Sequence, residues 1–248
     1  LDEPSDTKIY NTKIKKDVFD KNGKKRILVA THCFTDAVHF YGKFLFPDFY
    51  EWIDYLGKLS DELDYNWYIK FHPTEFQNNQ KHFEYFKKKY KKFNILPQNT
   101  SNNDILREKV DAVLTVYGSI GHEFPLFGIP VINASEIGPH QNYTFNYYPK
   151  TIEEYTKLIK KIGKLKVDPK KIENEIYEFV FMRYESNFEI LENFQEIMED
   201  LKADYSTPLL YKSYLDNYKK SKSDDINDKI LNFIKSNKIK HYKFDNKN

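Results

Sequence analysis

Asp111–Glu123 reads DAVLTVYGSIGHE: a short apolar, β-branched run that breaks at a glycine-bounded turn and opens into a helix. Asp111–Tyr117 suits a strand buried on both faces, as in a parallel sheet. Gly118-Ser119-Ile120-Gly121 follows at once, where the chain must leave the sheet. Working outward, the same alternation recurs. Arg26–Ala30 (RILVA) predicts a first strand, and Phe49, Trp52, Ile53, Leu56, Leu59 and Leu63 then fall at helical spacing behind Pro47 and Asp48. Trp67–Phe71 (WYIKF) predicts a second strand ending at His72-Pro73, and Phe83, Phe86 and Tyr90 mark the apolar face of the next helix.

Phe93–Leu96 is a third strand stopped by Pro97, and Ser101 with Asp104 caps a short helix through Lys109. Gly128-Ile129-Pro130 turns the chain into a last strand, Val131–Asn133. Thr151 and Glu154 predict a capping box for a helix carrying Ile152, Tyr155, Leu158, Ile159 and Ile162. An unbroken β-α-β-α order calls for an α/β fold, a Rossmann-like parallel sheet covered by helices. Four segments are expected. Residues 1–25 form a linker or the end of a preceding domain, 26–165 the Rossmann-like domain, 166–205 a long helical segment and 206–248 a helical tail. Ile172, Ile176, Phe179 and Val180 lie on one face of the third segment, and the polar Lys219–Asp225 reads as a hinge in the tail.

Bulk properties exclude several classes of function. In 248 residues, 39 Lys and Arg face 37 Asp and Glu, a net charge of +2 that lacks the strong field of a nucleic-acid binder. Lys87–Lys89 and Lys91-Lys92 read as the solvated side of the helix bearing Phe83, Phe86 and Tyr90. The single cysteine, Cys33, rules out an internal disulfide framework and fits a reducing cytoplasm. No apolar stretch approaches the ~20 residues that span a bilayer.

Open parallel sheets collect ligands at the carboxyl ends of their strands. The unusual polar residues fall there: Thr31-His32-Cys33-Phe34-Thr35-Asp36 after the first strand, His72-Pro73 after the second, and Tyr117-Gly118-Ser119-Ile120-Gly121-His122-Glu123 after the fourth. The glycines let backbone approach an anion, and Ser119 adds a hydroxyl donor; a serine N-cap between turn glycines reads equally well. Glu123 can accept from two ribose hydroxyls or satisfy the helix dipole. A protonated His72 can pair with phosphate and neutralise charge on a departing nucleotide. His32 and Asp36 can touch donor or acceptor, or Asp36 and His39 can cap or bridge. His32, Asp36, His39 and His72 match no zinc spacing, so no metal is expected. The turn is neither a Gly-x-Ser-x-Gly elbow nor a Walker A loop.

On His32–Asp36, Trp67–Pro73 and Val116–Glu123 through Phe127–Val131, the chain resembles the bacterial capsule polysaccharide biosynthesis family, relatives of Kdo transferases, sialyltransferases and CDP-glycerol glycerophosphotransferases. The resemblance spans about Arg26 to Ile162, with His-Pro and Gly-Ser elements about 45 residues apart. It implies the C-terminal half of a two-Rossmann-domain (GT-B) glycosyltransferase used in surface polysaccharide synthesis. His72 and Ser119 would grip the donor phosphate and Glu123 the ribose. His72, His32 and Asp36 are the catalytic candidates, and Lys70, Pro73, Gly118, Ser119, Ile120, Gly121 and Glu123 the substrate-binding ones. The implied donor is CMP-, CDP- or UDP-linked, with no metal or other cofactor in the chemical step, and the acceptor a glycan or glycolipid. Peripheral association with the cytoplasmic face of the inner membrane, or with capsule assembly proteins, goes with it.

Two departures stand out. Pro125 falls where a helix interior prefers alanine, so the helix after Gly118 should be kinked or short. Only residues 1–25 precede the first strand, so the acceptor-side domain, the usual source of the catalytic base, is expected to be missing. A CDP-donor phosphoglycerol- or phosphoramidate-type transferase uses the same strand ends, a sugar-nucleotide epimerase is a more distant option, and a non-catalytic Rossmann-like binding module remains open.

Overall fold

The computed structural model describes residues 18–34, 43–72, 79–97, 100–181 and 183. Asp36, His39, Pro73, the side chain of Phe83 and everything from 184 onward lie outside the described residues, including most of the expected 166–205 helix and the whole 206–248 tail. The chain divides into two compact units, Leu1–Ile176 and Tyr177–Asn248. The described architecture belongs to the first, apart from residues 177–181 and 183.

Five strands build it: β1 (Arg26–Ala30), β2 (Asn66–Lys70), β3 (Phe93–Ile95), β4 (Ala112–Thr115) and β5 (Val131–Asn133). Their order is β3-β2-β1-β4-β5, every pair is parallel, and Val29 pairs with Ile69 on one side and Leu114 on the other. This is a Rossmann-like α/β sheet. The chain steps outward from β1 to β3, then crosses back over the sheet to β4. The direction of strand succession therefore reverses between β1 and β4, which opens a crevice at their carboxyl ends.

Because crossovers are right-handed, that reversal moves the covering helices to the opposite face. Alternate side chains of one strand accordingly enter two different cores. Ile27, Val29, Trp67, Ile69, Ala112 and Leu114 pack with α1 (Phe49–Glu62), with Phe86 of α2 (Asn79–Lys89) and Tyr90 just beyond it, and with Tyr155 and Ile159 of α5 (Ile152–Lys160). Leu28, Tyr68, Val113 and Val131 pack with Ile105 of α3 (Asn102–Glu108), with Ile120 of α4 (Ile120–Glu123) and with Phe124. Across the larger core, the Trp52 indole donates to the Tyr155 hydroxyl at 3.0 Å, so neither buried polar tip is stranded.

Local signals placed most helix starts. Ser101 and Asp104 form the reciprocal box that their spacing predicts. At α5 the Thr151 side chain accepts from the Glu154 N–H, but the Glu154 carboxylate reaches past Thr151 to the Lys150 N–H at 2.8 Å, so only half of the expected box is made. The fourth strand is shorter than Asp111–Tyr117. Its last backbone groups are taken by side chains: the Val116 carbonyl accepts from the Ser135 hydroxyl, and the Tyr117 N–H donates to His32 Nε2 at 3.4 Å. Pro125 shortens the following helix as expected, since a residue without an N–H cannot extend the α ladder. Four α-helical residues pass into a 3-10 turn, Phe124–Phe127, which ends on left-handed Gly128 (φ 74°). The last described helix, α6, runs Pro169–Val180, with Ile172 and Ile176 buried.

Asp54 joins α1 to α2. Only 5% exposed, it receives Lys89 Nζ at 2.6 Å, the Tyr90 hydroxyl at 2.7 Å and Lys58 Nζ at 2.8 Å. Burial pushes the carboxyl up, but the hydrogen bonds from Lys58, Lys89 and Tyr90 outweigh it and hold it at about 2, below the ordinary 3.8. A depressed carboxyl lends stability above its unfolded value and loses it as pH falls through its folded one. Thermal melts should therefore drop more steeply between pH 4 and 2 for the parent than for Asp54→Asn. Parallel curves would exclude this role.

Candidate active site

A cavity of about 410 Å³ opens where the strand order reverses. Its sheet side is made by the carboxyl ends of three strands: Ala30, Thr31 and His32 at the end of β1, Lys70, Phe71 and His72 at the end of β2, and Thr115 and Gly118 at the end of β4. Its helix side comes from Ser101, Asn102, Asn103 and Leu106 at the start of α3, and from Ser119, Ile120, Glu123 and Phe127 along α4 and the 3-10 turn. The three polar clusters, separated by dozens of residues in the chain, thus meet in one place.

Lys70 is the most informative of them. It is the last residue of β2, half-buried, and it lines the cavity. The Nζ makes no hydrogen bond or ion pair to any described residue, and Glu123 is the one charge that acts on it. Burial lowers its pKa, and the Glu123 carboxylate partly offsets that. An ammonium held in a low-dielectric cleft without a contact partner favours an incoming anion over water.

His72, directly after β2, is exposed on the cavity wall, and its Nδ1 lies 3.8 Å from the buried Cys33 thiol. His32 is of another kind. At 8% exposure it stacks 5.1 Å from Phe49 and 4.6 Å from Tyr117. Its Nε2 accepts the Tyr117 N–H and lies 3.5 Å from Thr115 Oγ1. It pins the Tyr117–Ser119 turn against β1.

The turn itself decides between the two readings of Ser119. The serine is exposed with αR backbone angles, and its hydroxyl makes no capping hydrogen bond. It is therefore not spent on the helix. Gly121 N and His122 N bond back to the Gly118 and Ser119 carbonyls at 2.9 Å, which leaves the N–H groups of Ser119 and Ile120 without an intrahelical acceptor. The two glycines differ. A Cβ at Gly118 would press on Thr115 Oγ1 at 3.1 Å and approach His32, so this glycine permits the turn at the cavity floor. A Cβ at Gly121 would meet Asn146 Nδ2 and His140 Cε1 at 2.9 Å. Gly121 does not line the cavity; it makes room for the buried His140, whose Nε2 lies 3.1 Å from His122 Nδ1.

Glu123 lines the cavity and its Oε2 accepts from Asn102 Nδ2 at 2.6 Å. Asn102, Asn103, Leu106, Thr115 and Phe127 also reach the cavity, and sequence reasoning missed them. The rule that led to the other strand ends applies to β3 as well, but Ser101 and Asp104 announced a helix cap and drew the eye from the residues between them. Asp36 and Pro73 lie outside the described residues. Among the described residues, no group of three or more His, Cys, Asp or Glu is placed to hold a metal ion, and no helix is long and apolar enough to cross a membrane.

No protein-family model matches the chain, and no curated protein matches it. Among solved structures it is similar to the wall teichoic acid polymerase TagF, at 18% identity and a TM-score of 0.34, over 63% of this chain. The chain spans 38% of the length of that protein.

Proposed function

We propose that the cavity at the strand reversal binds the nucleotide-activated donor of a glycosyltransferase, with Lys70, His72 and Ser119 on the phosphate and Glu123 on the ribose. The observation that carries this reading is the convergence on one cleft of a Lys70 amine with no contact partner among the described residues, an exposed His72 and a Ser119 hydroxyl that makes no capping hydrogen bond, with a carboxylate beside them. Cations and hydroxyl donors gathered at strand ends are matched to phosphate; a carboxylate next to them is matched to vicinal hydroxyls.

In the transfer, an acceptor hydroxyl oxygen attacks the anomeric carbon of the sugar. The bond from that carbon to the phosphate oxygen breaks, and its electron pair leaves with the nucleotide. Lys70 and His72 stabilise the charge that develops there, and the hydroxyl's proton passes to a base. His32 serves this chemistry by position, through the turn that carries Ser119, and Asp36 stands on the same connection as a candidate for the acceptor side. A glycan or glycolipid of surface polysaccharide synthesis is the acceptor we assign.

Calorimetric titration of the full chain with CMP, CDP and UDP, with and without magnesium, tests the reading. One of them should bind in the micromolar range independently of the metal, and His72→Ala should weaken it about tenfold with an unchanged melting temperature. Absence of binding, or unchanged affinity in folded His72→Ala, would remove the proposal. Product analysis with intact donor then separates sugar transfer from phosphoglycerol transfer.

A further inference from the structure

Ser119 and Glu123 stand at the two ends of a helix that has little of its own to hold it. Four α-helical residues make few backbone bonds, Ser119 supplies no side-chain cap, and so short a helix keeps its place only through tertiary contacts. One side is fixed by Ile120 and Phe124, which enter the smaller core. On the other, Gly121 and His122 lie against the segment that joins β5 to α5.

His140 is the centre of that second contact. It is 1% exposed, and burying an imidazole costs free energy unless its nitrogens find partners. Its Nε2 lies 3.1 Å from His122 Nδ1, and its Nδ1 lies 3.4 Å from Asn146 Nδ2. The ring also fills the space that a side chain at position 121 would need, with Nδ1 3.0 Å from an added Cβ. Asn146 is tied to the sheet in turn. The next residue, Tyr147, donates to the Val131 carbonyl and accepts from the Asn133 N–H, both at 2.9 Å. A line of contacts thus runs from β5 through Asn146 and His140 to His122, and neither histidine lines the cavity.

We propose that His140 is a positioning residue: through His122, and against the bare Cα of Gly121, it sets where Ser119 and Glu123 stand at the cavity without touching the nucleotide. This rests on the donor-binding reading above. Packing alone would be met by an apolar side chain of the same size, without the cost of burying a polar ring. A helix held by the His140–His122 contact instead passes any change there to the hydroxyl and the carboxylate at its ends, where small displacements weaken binding steeply.

His122→Ala tests this, because position 122 is half-buried and the variant leaves the His140 ring and Gly121 in place. Its affinity for CDP or UDP, whichever the parent binds more tightly, should fall about tenfold, with the melting temperature lowered by about 3 °C or less. His122→Asn sets an amide atom where Nδ1 stood and should return the affinity to within about threefold of the parent. Amide hydrogen exchange needs no nucleotide. The N–H groups of positions 121 and 122, bonded to the Gly118 and Ser119 carbonyls, should lose about tenfold in protection in His122→Ala, and the strand amides far less. Unchanged affinity in His122→Ala, no recovery in His122→Asn, or unchanged protection at 121 and 122 overturns the inference and leaves the donor reading standing. If the parent binds neither nucleotide the donor reading falls, and the exchange result alone decides whether His140 holds this helix.

Discussion

Lys70→Met is expected to lower affinity for nucleoside diphosphates roughly a hundredfold, about 2.7 kcal/mol, while the protein stays folded. A charge-assisted hydrogen bond to phosphate is among the stronger contacts available, and a cavity that excludes water strengthens it further. The Nζ has no partner among the described residues to compete for it. Removal costs the fold little, because burial already lowers the pKa of this amine and disfavours its charged form. The sign of the pH dependence follows. Between the lowered folded value and the ordinary 10.5, the unfolded chain holds more protons than the folded one, so stability rises with pH through that interval. Below it the burial penalty is present in full, and Lys70→Met should melt no lower than the parent at neutral pH.

Ligand affinity runs the other way. Phosphate needs the ammonium, so binding should weaken as pH rises through the lowered pKa of Lys70, before an exposed lysine would titrate. Lys70→Arg keeps its charge and should show a flat profile over the same range. An unchanged affinity in Lys70→Met, or a parent profile that does not bend there, would take Lys70 out of the site.

Gly57→Ala should destabilise the domain by about 3 kcal/mol, near the upper end of what overpacking usually costs. Gly57 lies in the middle of α1, where alanine ordinarily helps a helix by about 1 kcal/mol. Here an added Cβ would fall inside the contact surface of the Tyr90 ring. Tyr90 cannot swing aside cheaply. It is 4% exposed, its hydroxyl is bonded to Asp54, and its ring packs on Phe86 and Phe93. Making room means parting α1 from the α2–β3 junction and opening the Asp54 contacts. Urea unfolding of the two proteins measures the difference. A stabilised Gly57→Ala would show that helix propensity outweighs this contact, and Gly57→Ala with Tyr90→Ala should recover part of the loss if the clash is its source.

Both results turn on contacts that no local pattern announces. The strands were legible because burial on both faces demands continuous apolar runs, and Arg26–Ala30 and Val131–Asn133 are observed with the limits their composition suggests. Helix starts were legible at Asp48, Ser101 and Thr151, where one side chain answers an N–H three residues away. Pro125 cut the helix short for the same kind of reason, the loss of its own N–H. Each of these effects acts within a turn or two of chain.

The site was legible only in part. Strand ends pointed to His32, His72, Ser119 and Glu123, because a parallel sheet sends all its carboxyl ends to one edge, and Lys70 came only with the family resemblance. Sequence could not choose between Ser119 as a cap and as an open hydroxyl, since both need the same residue at the same place. Gly121 looked like part of an anion cradle, and its neighbour turned out to be His140, brought up from beyond β5. Asn102 was hidden behind a helix cap.

By itself, then, the order of apolar runs, caps and breakers determined a parallel α/β sheet and the edge at which polar residues collect. Which strands flank the crevice, which glycine faces the cavity and which backbone N–H meets His32 were decided only by the crossover from β3 to β4. That step sets Glu123 beside Asn102, 21 residues away, and places Lys70 where the field of Glu123 reaches it. Periodicity records what a residue needs from its neighbours along the chain; its partners across space depend on the path that the backbone takes to bring them together.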